Sequence, residues 1–217
     1  MSTEQQPQTR LRSRWNALTA RLCYAQASSA ALFDELAQAY SEPGRHYHNL
    51  GHIAQLVELL DQHGHDVHSR DAIEFAIFFH DAVYVPIRSD NEAASAALAR
   101  ARLTALGGTE TLVREVERLI LATRHGAAPA DAIGDPDLAL LLDLDLSILG
   151  AEREVYAAYA AAIRREYAVV PDLIYRPGRR RVLAEFLARP RIYTTPRLFD
   201  ACEAAARANL EWESASL

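Results

Sequence analysis

Apolar residues recur along this chain at intervals of three and four for most of its length, and strict alternation is rare. That period belongs to helix rather than strand. A composition rich in Ala, Leu, Arg and Glu reinforces it, because these side chains lose little freedom in a helix. The pattern predicts helices near 11–25, 28–40, 50–63, 70–81, 89–106, 109–124, 136–148, 151–168, 171–188 and 195–214. The breaks between them have physical causes. Ser41-Glu42-Pro43-Gly44 is a breaker. Ser89 or Asp90 can cap the helix that carries Glu92. Gly107-Gly108 ends that helix and Thr109 caps the next. Pro136 and Pro171 suit first turns. The expected fold class is all-α: one helical domain over 11–217, after a polar stretch at 1–10 that frays.

Two of these segments are apolar on nearly every side. The first runs from Ala72 to Tyr84 and includes Phe75, Ile77, Phe78 and Phe79, yet it closes on His80-Asp81. The second runs from Leu140 to Leu149 and is interrupted by Asp143 and Asp145. A buried carboxylate is expensive unless it is paired or bound to a metal. On a helix Asp143 and Asp145 point roughly 200° apart, so one is expected to face the core and the other not. A third segment begins Tyr47-His48-Asn49-Leu50-Gly51-His52 and continues into Ile53, Leu56, Val57 and Leu60. If the helix includes both histidines, their four-residue spacing puts them on one face.

Composition narrows the options. Half of the 217 residues are hydrophobic (50%), enough for a sizeable core. The formal net charge of −6 argues against a non-specific nucleic-acid binder. Cys23 and Cys202 are the two cysteines, so neither a disulfide framework nor a thiolate metal site is suggested. No basic-apolar leader opens the chain, and no apolar run reaches about 18 residues. No membrane partner is expected, and a cytoplasmic location is the default. Monomer and homodimer both stay open. Imidazole and carboxylate without thiolate suit a divalent ion such as Mn, Fe, Co, Ni, Zn or Mg.

The order His52, His80-Asp81, Asp145 resembles the HD superfamily of metal-dependent phosphohydrolases. The flanks add to the likeness. Tyr47-His48-Asn49-Leu50-Gly51-His52 is similar to the Tyr-His-Asn-x-x-His motif of cyclic-nucleotide phosphodiesterases, and Asp145-Leu146-Ser147 to their Asp-Leu-Ser. Leu121-Ala122-Thr123 with His125 resembles their Leu-Ala-Thr segment. Asp90-Asn91-Glu92 and Tyr175-Arg176-Pro177-Gly178-Arg179 resemble the signature of a bacterial group of uncharacterised predicted HD phosphohydrolases of similar length. The resemblance covers about residues 45–150 and implies a helical HD domain, with the helices of 151–214 packed on it. It implies one divalent ion held by His52, His80, Asp81 and Asp145.

The same resemblance implies a function. The expected activity is hydrolysis of a phosphate ester, of a nucleotide by preference, with a metal-activated water as nucleophile. The alternative is a degenerate HD domain that senses a nucleotide without turnover. Four intact ligand positions favour the enzyme. His48 is the general-acid candidate, since histidine gives a proton near neutral pH. The alternative for His48 is a structural residue at a helix start. With Asp81, Glu92 completes the catalytic candidates; it would orient a water or a sugar hydroxyl. A phosphorylated substrate needs positive charge beyond the metal. Arg45, Arg124, Arg176 and Arg179 are candidates, although 175–181 can equally be a solvated basic face. His125 is a substrate contact, a second-site ligand or a loop residue. His63, His65 and His68 read as surface. The likeness has gaps: no purine-gripping glutamine can be placed, and the extra histidine pair of a second metal site is not evident. The stretch Ala82-Val83-Tyr84-Val85-Pro86 lacks the acidic pair of the alarmone-hydrolysing branch.

Overall fold

A computed structural model describes residues 5–124 and 132–217. Ten α-helices form the described chain, and no strand occurs among these residues. The all-α class expected from the periodicity is therefore what the chain adopts. None of these helices is long and apolar enough to cross a membrane. The contacts fall into two compact units, Met1–Arg124 and His125–Leu217.

The first unit contains α1 (Gln5–Arg21), α2 (Gln26–Ala39), α3 (Leu50–His63), α4 (Arg70–Phe79), α5 (Asn91–Ala105) and α6 (Glu110–Ala122). Its centre is α4, the helix whose sequence is apolar all round: Ala72 to Phe79 are all buried. It packs on α3, α5 and α6. From α1, Trp15 is fully buried and sets its ring edge-on to Phe75 and Phe78, at centroid distances of 5.5 and 5.0 Å. The indole N–H is satisfied by the Ser29 carbonyl at 2.9 Å, as a buried tryptophan requires. Of the two acidic groups of α4, Glu74 is fully buried and takes Arg14 Nε at 2.6 Å. One expectation needs correcting here. The first helix starts at Gln5, so residues 5–10 are helical rather than frayed. Pro7 sits in the first turn, where a missing N–H costs nothing.

The second unit contains α7 (Pro136–Asp145), a 3-10 turn at Leu146–Gly150, α8 (Arg153–Glu166), α9 (Asp172–Leu187) and α10 (Pro196–Ser216). The turn, α8 and α9 all pack on α10. The approach of the turn to α10 is close enough to exclude a side chain at Gly150, where a Cβ would stand 2.5 Å from that of Cys202. Asn209 of α10 holds the turn by donating to the carbonyls of Leu149 and Ala151, both at 2.8 Å.

Candidate metal centre

Two short segments of the first unit meet at His52 and His80. The first is the entry to α3. Asn49 takes an extended conformation and its side chain accepts from Gly51 N at 2.8 Å, which makes it the N-cap and starts the helix at Leu50. His52 thus lies in the first turn and is buried. His48 lies outside the helix, in the turn before the cap. The helix begins at Leu50, as the expected span 50–63 has it, so it includes His52 and not His48. The rings nevertheless stand 6.1 Å apart, because the turn folds His48 back beside the first helical turn.

The second segment is the end of α4. His80 is its C-cap, 2% exposed, and Asp81 begins the following loop with its side chain 16% exposed. The donor atoms converge. His52 Nε2 and His80 Nε2 are 3.3 Å apart, and His80 Nε2 is 3.1 Å from Asp81 Oδ2. The ligand atoms of all three residues lie within 4.8 Å of one another. Donors held about 2.1 Å from one ion stand about 3.0–3.4 Å from each other, so the two measured spacings suit a shared ion.

The hydrogen-bond chemistry gives an independent test of fit. His80 Nδ1 lies 2.9 Å from the Ile77 carbonyl. A carbonyl only accepts, so Nδ1 carries the hydrogen, and a neutral His80 presents a bare lone pair at Nε2. Its neighbour Asp81 Oδ2 is also an acceptor when ionised. His52 can relieve its own contact by carrying a hydrogen on Nε2. The His80–Asp81 contact cannot be relieved that way. A proton on His80 Nε2 or on the Asp81 carboxyl relieves it, and so does a cation between the donors. The donor set therefore fits a borderline divalent ion.

The surrounding residues are more specialised than their sequence context suggests. Arg45, a candidate substrate contact, is corrected. Its guanidinium donates to the carbonyls of Asp81 (2.6 Å), Ala82 (3.1 Å) and His48 (3.2 Å), and its side chain is only 4% exposed. It ties the two site segments together, between the rings of Tyr40 and Tyr84. Asn91 and Ser95 carry roles that the sequence did not single out. The Asn91 amide both accepts from Val85 N and donates to Val85 O, at 3.0 and 2.9 Å. Ser95 Oγ does the same to Val83 N and O, at 3.1 and 3.2 Å. Two polar residues four apart at the start of an otherwise Ala-rich helix were the available signal. Glu92, beside Asn91, is half-buried in the first turn of α5. Asp90 occupies the N-cap position, but its carboxylate pairs with Arg88 at 2.7 Å instead of capping.

The remaining candidates lie elsewhere. Arg124 is exposed just after α6. His125 falls outside the described residues. His65 and His68 are exposed between α3 and α4, and His63 is half-buried. Asp145, the distal aspartate, is half-buried at the end of α7 in the second unit. Of the two candidate arginines of α9, Arg179 is corrected as a substrate contact. Arg179 donates two hydrogen bonds to the Glu213 carboxylate, at 2.7 and 3.0 Å, and its side chain is largely buried. Arg176 is exposed and donates to the Leu217 carbonyl at 3.1 Å. Of Asp143 and Asp145, it is Asp143 that is fully buried. It accepts from Thr194 N, Thr195 N and Thr195 Oγ1, at 2.8, 2.6 and 2.6 Å, at the start of α10. Burial pushes its carboxyl up, against the lowering effect of those bonds.

No protein-family model matches the chain, and neither a curated protein nor a solved structure is similar enough to match it.

Proposed function

We propose that the chain is a metal-dependent phosphohydrolase of the HD type, cleaving a phosphate ester of a nucleotide. The observation that carries this reading is the meeting of His80 Nε2 with Asp81 Oδ2 and His52 Nε2, while His80 Nδ1 is held by a carbonyl. That tautomer is the one a metal-binding histidine takes when its second nitrogen is fixed by an outer partner. His52, His80 and Asp81 hold the ion. A divalent ion bound there supplies Lewis-acid stabilisation of phosphoryl charge and lowers the pKa of water.

The chain's own residues do the rest. Asp81 is partly exposed and so faces both the ion site and solvent. Its second lone pairs can hold a water in line with phosphorus. His48 stands one ring away from His52, half-buried and outside the donor cluster. It delivers a proton to the departing oxygen, which otherwise leaves as a high-energy alkoxide. Arg45 binds no substrate; it holds the carbonyls on either side of this arrangement in register.

The test is a nucleotide library screened for phosphate release with Mn²⁺, Co²⁺, Ni²⁺ and Mg²⁺. Turnover that disappears in His80→Ala is the expected result. Saturable nucleotide binding without turnover in every metal would make the protein a sensor instead.

A further inference from the structure

His48 has no helix to hold it. Asn49 caps α3 behind it, so the His48 backbone lies in a turn, fixed from outside by the Arg45 bond to its carbonyl at 3.2 Å. The ring is fixed by other rings. Tyr84 lies against it with centroids 4.2 Å apart and planes 32° from parallel. Tyr47 meets it edge-on at 5.1 Å and 83°. Tyr47 moves with His48, being its neighbour in the chain. Tyr84 does not: it belongs to the loop that leaves Asp81.

That loop is braced on both sides of Tyr84. Val83 is bonded at N and O by Ser95, and Val85 at N and O by Asn91. Arg45 bonds the carbonyls of Asp81 and Ala82. The wall against which His48 rests is thus part of the same rigid segment that carries the Asp81 carboxylate. Tyr84 thus gives the half-buried His48 ring a face fixed relative to Asp81, and a misplacement of about 1 Å in a proton donor costs on the order of 10²-fold in rate.

We infer that Tyr84 is a positioning residue for His48, its aromatic face setting the imidazole at a fixed distance and angle from the Asp81 loop. The inference deepens the phosphohydrolase reading and rests on it for the role of His48. The contact with His48 is made by the ring face, at a centroid distance of 4.2 Å. Tyr84→Phe should therefore preserve the function, and Tyr84→Leu, which fills similar space without a flat ring, should lose it.

The experiment compares the two variants in the full chain. The first readout is the proton spectrum of histidine-labelled protein. A ring stacked at this distance shields the His48 carbon-bound protons; Tyr84→Leu should remove that shielding and broaden the signals, and Tyr84→Phe should keep it. The second is Zn²⁺ content after incubation and desalting, expected to be unchanged in both. The third is kcat with Mn²⁺ on a bis-nitrophenyl phosphate and on a dialkyl phosphate. Tyr84→Leu should lose about 10- to 100-fold on the alkyl ester and little on the nitrophenyl ester, which leaves without a proton. Unshifted His48 signals in Tyr84→Leu would overturn the inference. So would an alkyl-ester loss in Tyr84→Phe as large as in Tyr84→Leu. A wild type that hydrolyses neither ester would remove the phosphohydrolase reading, while the spectral loss in Tyr84→Leu would still assign the ring to its wall. If Tyr84→Leu does not fold, Ser95→Ala, which frees Val83 without touching the ring, should broaden the same signals; unchanged signals there would count against the brace.

Discussion

His80-Asp81 at the end of α4 and Asp143 within α7 pose the same problem in the sequence, and the structure answers it in opposite ways. Both are polar interruptions of long apolar runs. Asp143 is surrounded by donors: two N–H groups and a hydroxyl at the start of α10 point at its oxygens. It is a remote cap, and every acceptor has something to accept. His80 meets the reverse. Its Nδ1 is committed to the Ile77 carbonyl, and its Nε2 looks at a carboxylate and another imidazole. A cluster of donors around a carboxylate needs nothing more. A cluster of acceptors around one point is short of a proton or a cation. The difference between structural and chemical burial thus lies in the sign of the neighbours, which no single stretch of sequence displays.

The largest effect separates the two aspartates outright. Asp81→Ala should abolish both bound metal and turnover, since it removes a donor and leaves two imidazoles alone. Asp143→Ala should leave the first unit's metal donors untouched but lower stability by about 2–4 kcal/mol, because two backbone N–H groups and a hydroxyl lose their acceptor. Metal analysis of both proteins alongside denaturant unfolding distinguishes them. A stable, metal-replete Asp81→Ala would collapse the contrast, and so would an Asp143→Ala of native stability.

Within the site, His48 and His52 offer a sharper version of the same contrast. His52 contributes to the donor cluster, whereas His48 stands a ring away. His48→Ala should keep the metal and lose about 10²–10⁴-fold in kcat on a poor leaving group, with a much smaller loss on a nitrophenyl ester. His52→Ala should lose metal, and activity should fall alike for both esters. Equal loss of metal in the two variants would make His48 a ligand.

The fold was almost wholly legible in the chain. All ten helices arise from the three-to-four periodicity and from local punctuation, because both are properties of neighbouring residues. His52, His80 and Asp81 were legible for a related reason: polar groups on apolar helices stand out against their background. The partners of long polar side chains were not legible. Arg45 meets carbonyls that lie 36 and 37 positions away, and Arg179 meets Glu213 across 34 positions. An arginine beside a histidine motif reads as a phosphate contact until its acceptors are known. Asp143 and Asp145 were correctly read as facing different ways, but which one turned inward depended on Thr194 and Thr195, 51 and 52 positions on. The start of α3 was local as well: Asn49 is a strong N-cap residue, and its place just before Leu50 agrees with the expected span 50–63, which leaves His48 outside.

That cap yields the smallest and most discriminating prediction. Asn49→Ala removes the acceptor for Gly51 N and should cost about 1 kcal/mol, lowering the unfolding midpoint without removing the metal. Gly51 faces two opposed effects. Alanine in place of a helical glycine gains up to about 1 kcal/mol in helix propensity. Yet a Cβ at Gly51 would stand 3.0 Å from Asn49 Oδ1, tight enough to push the capping oxygen off its N–H. In the wild-type background the two should nearly cancel. In the Asn49→Ala background the oxygen is gone, so Gly51→Ala should stabilise by close to the full propensity gain. The double-mutant cycle, read by denaturant midpoints, should therefore give a favourable coupling of several tenths of a kcal/mol or more. The sign comes from geometry alone: the cap and the methyl compete for one space. A Gly51→Ala gain that is the same in both backgrounds would mean that Asn49 does not hold the start of α3. The turn that sets His48 outside the helix would then need another cause.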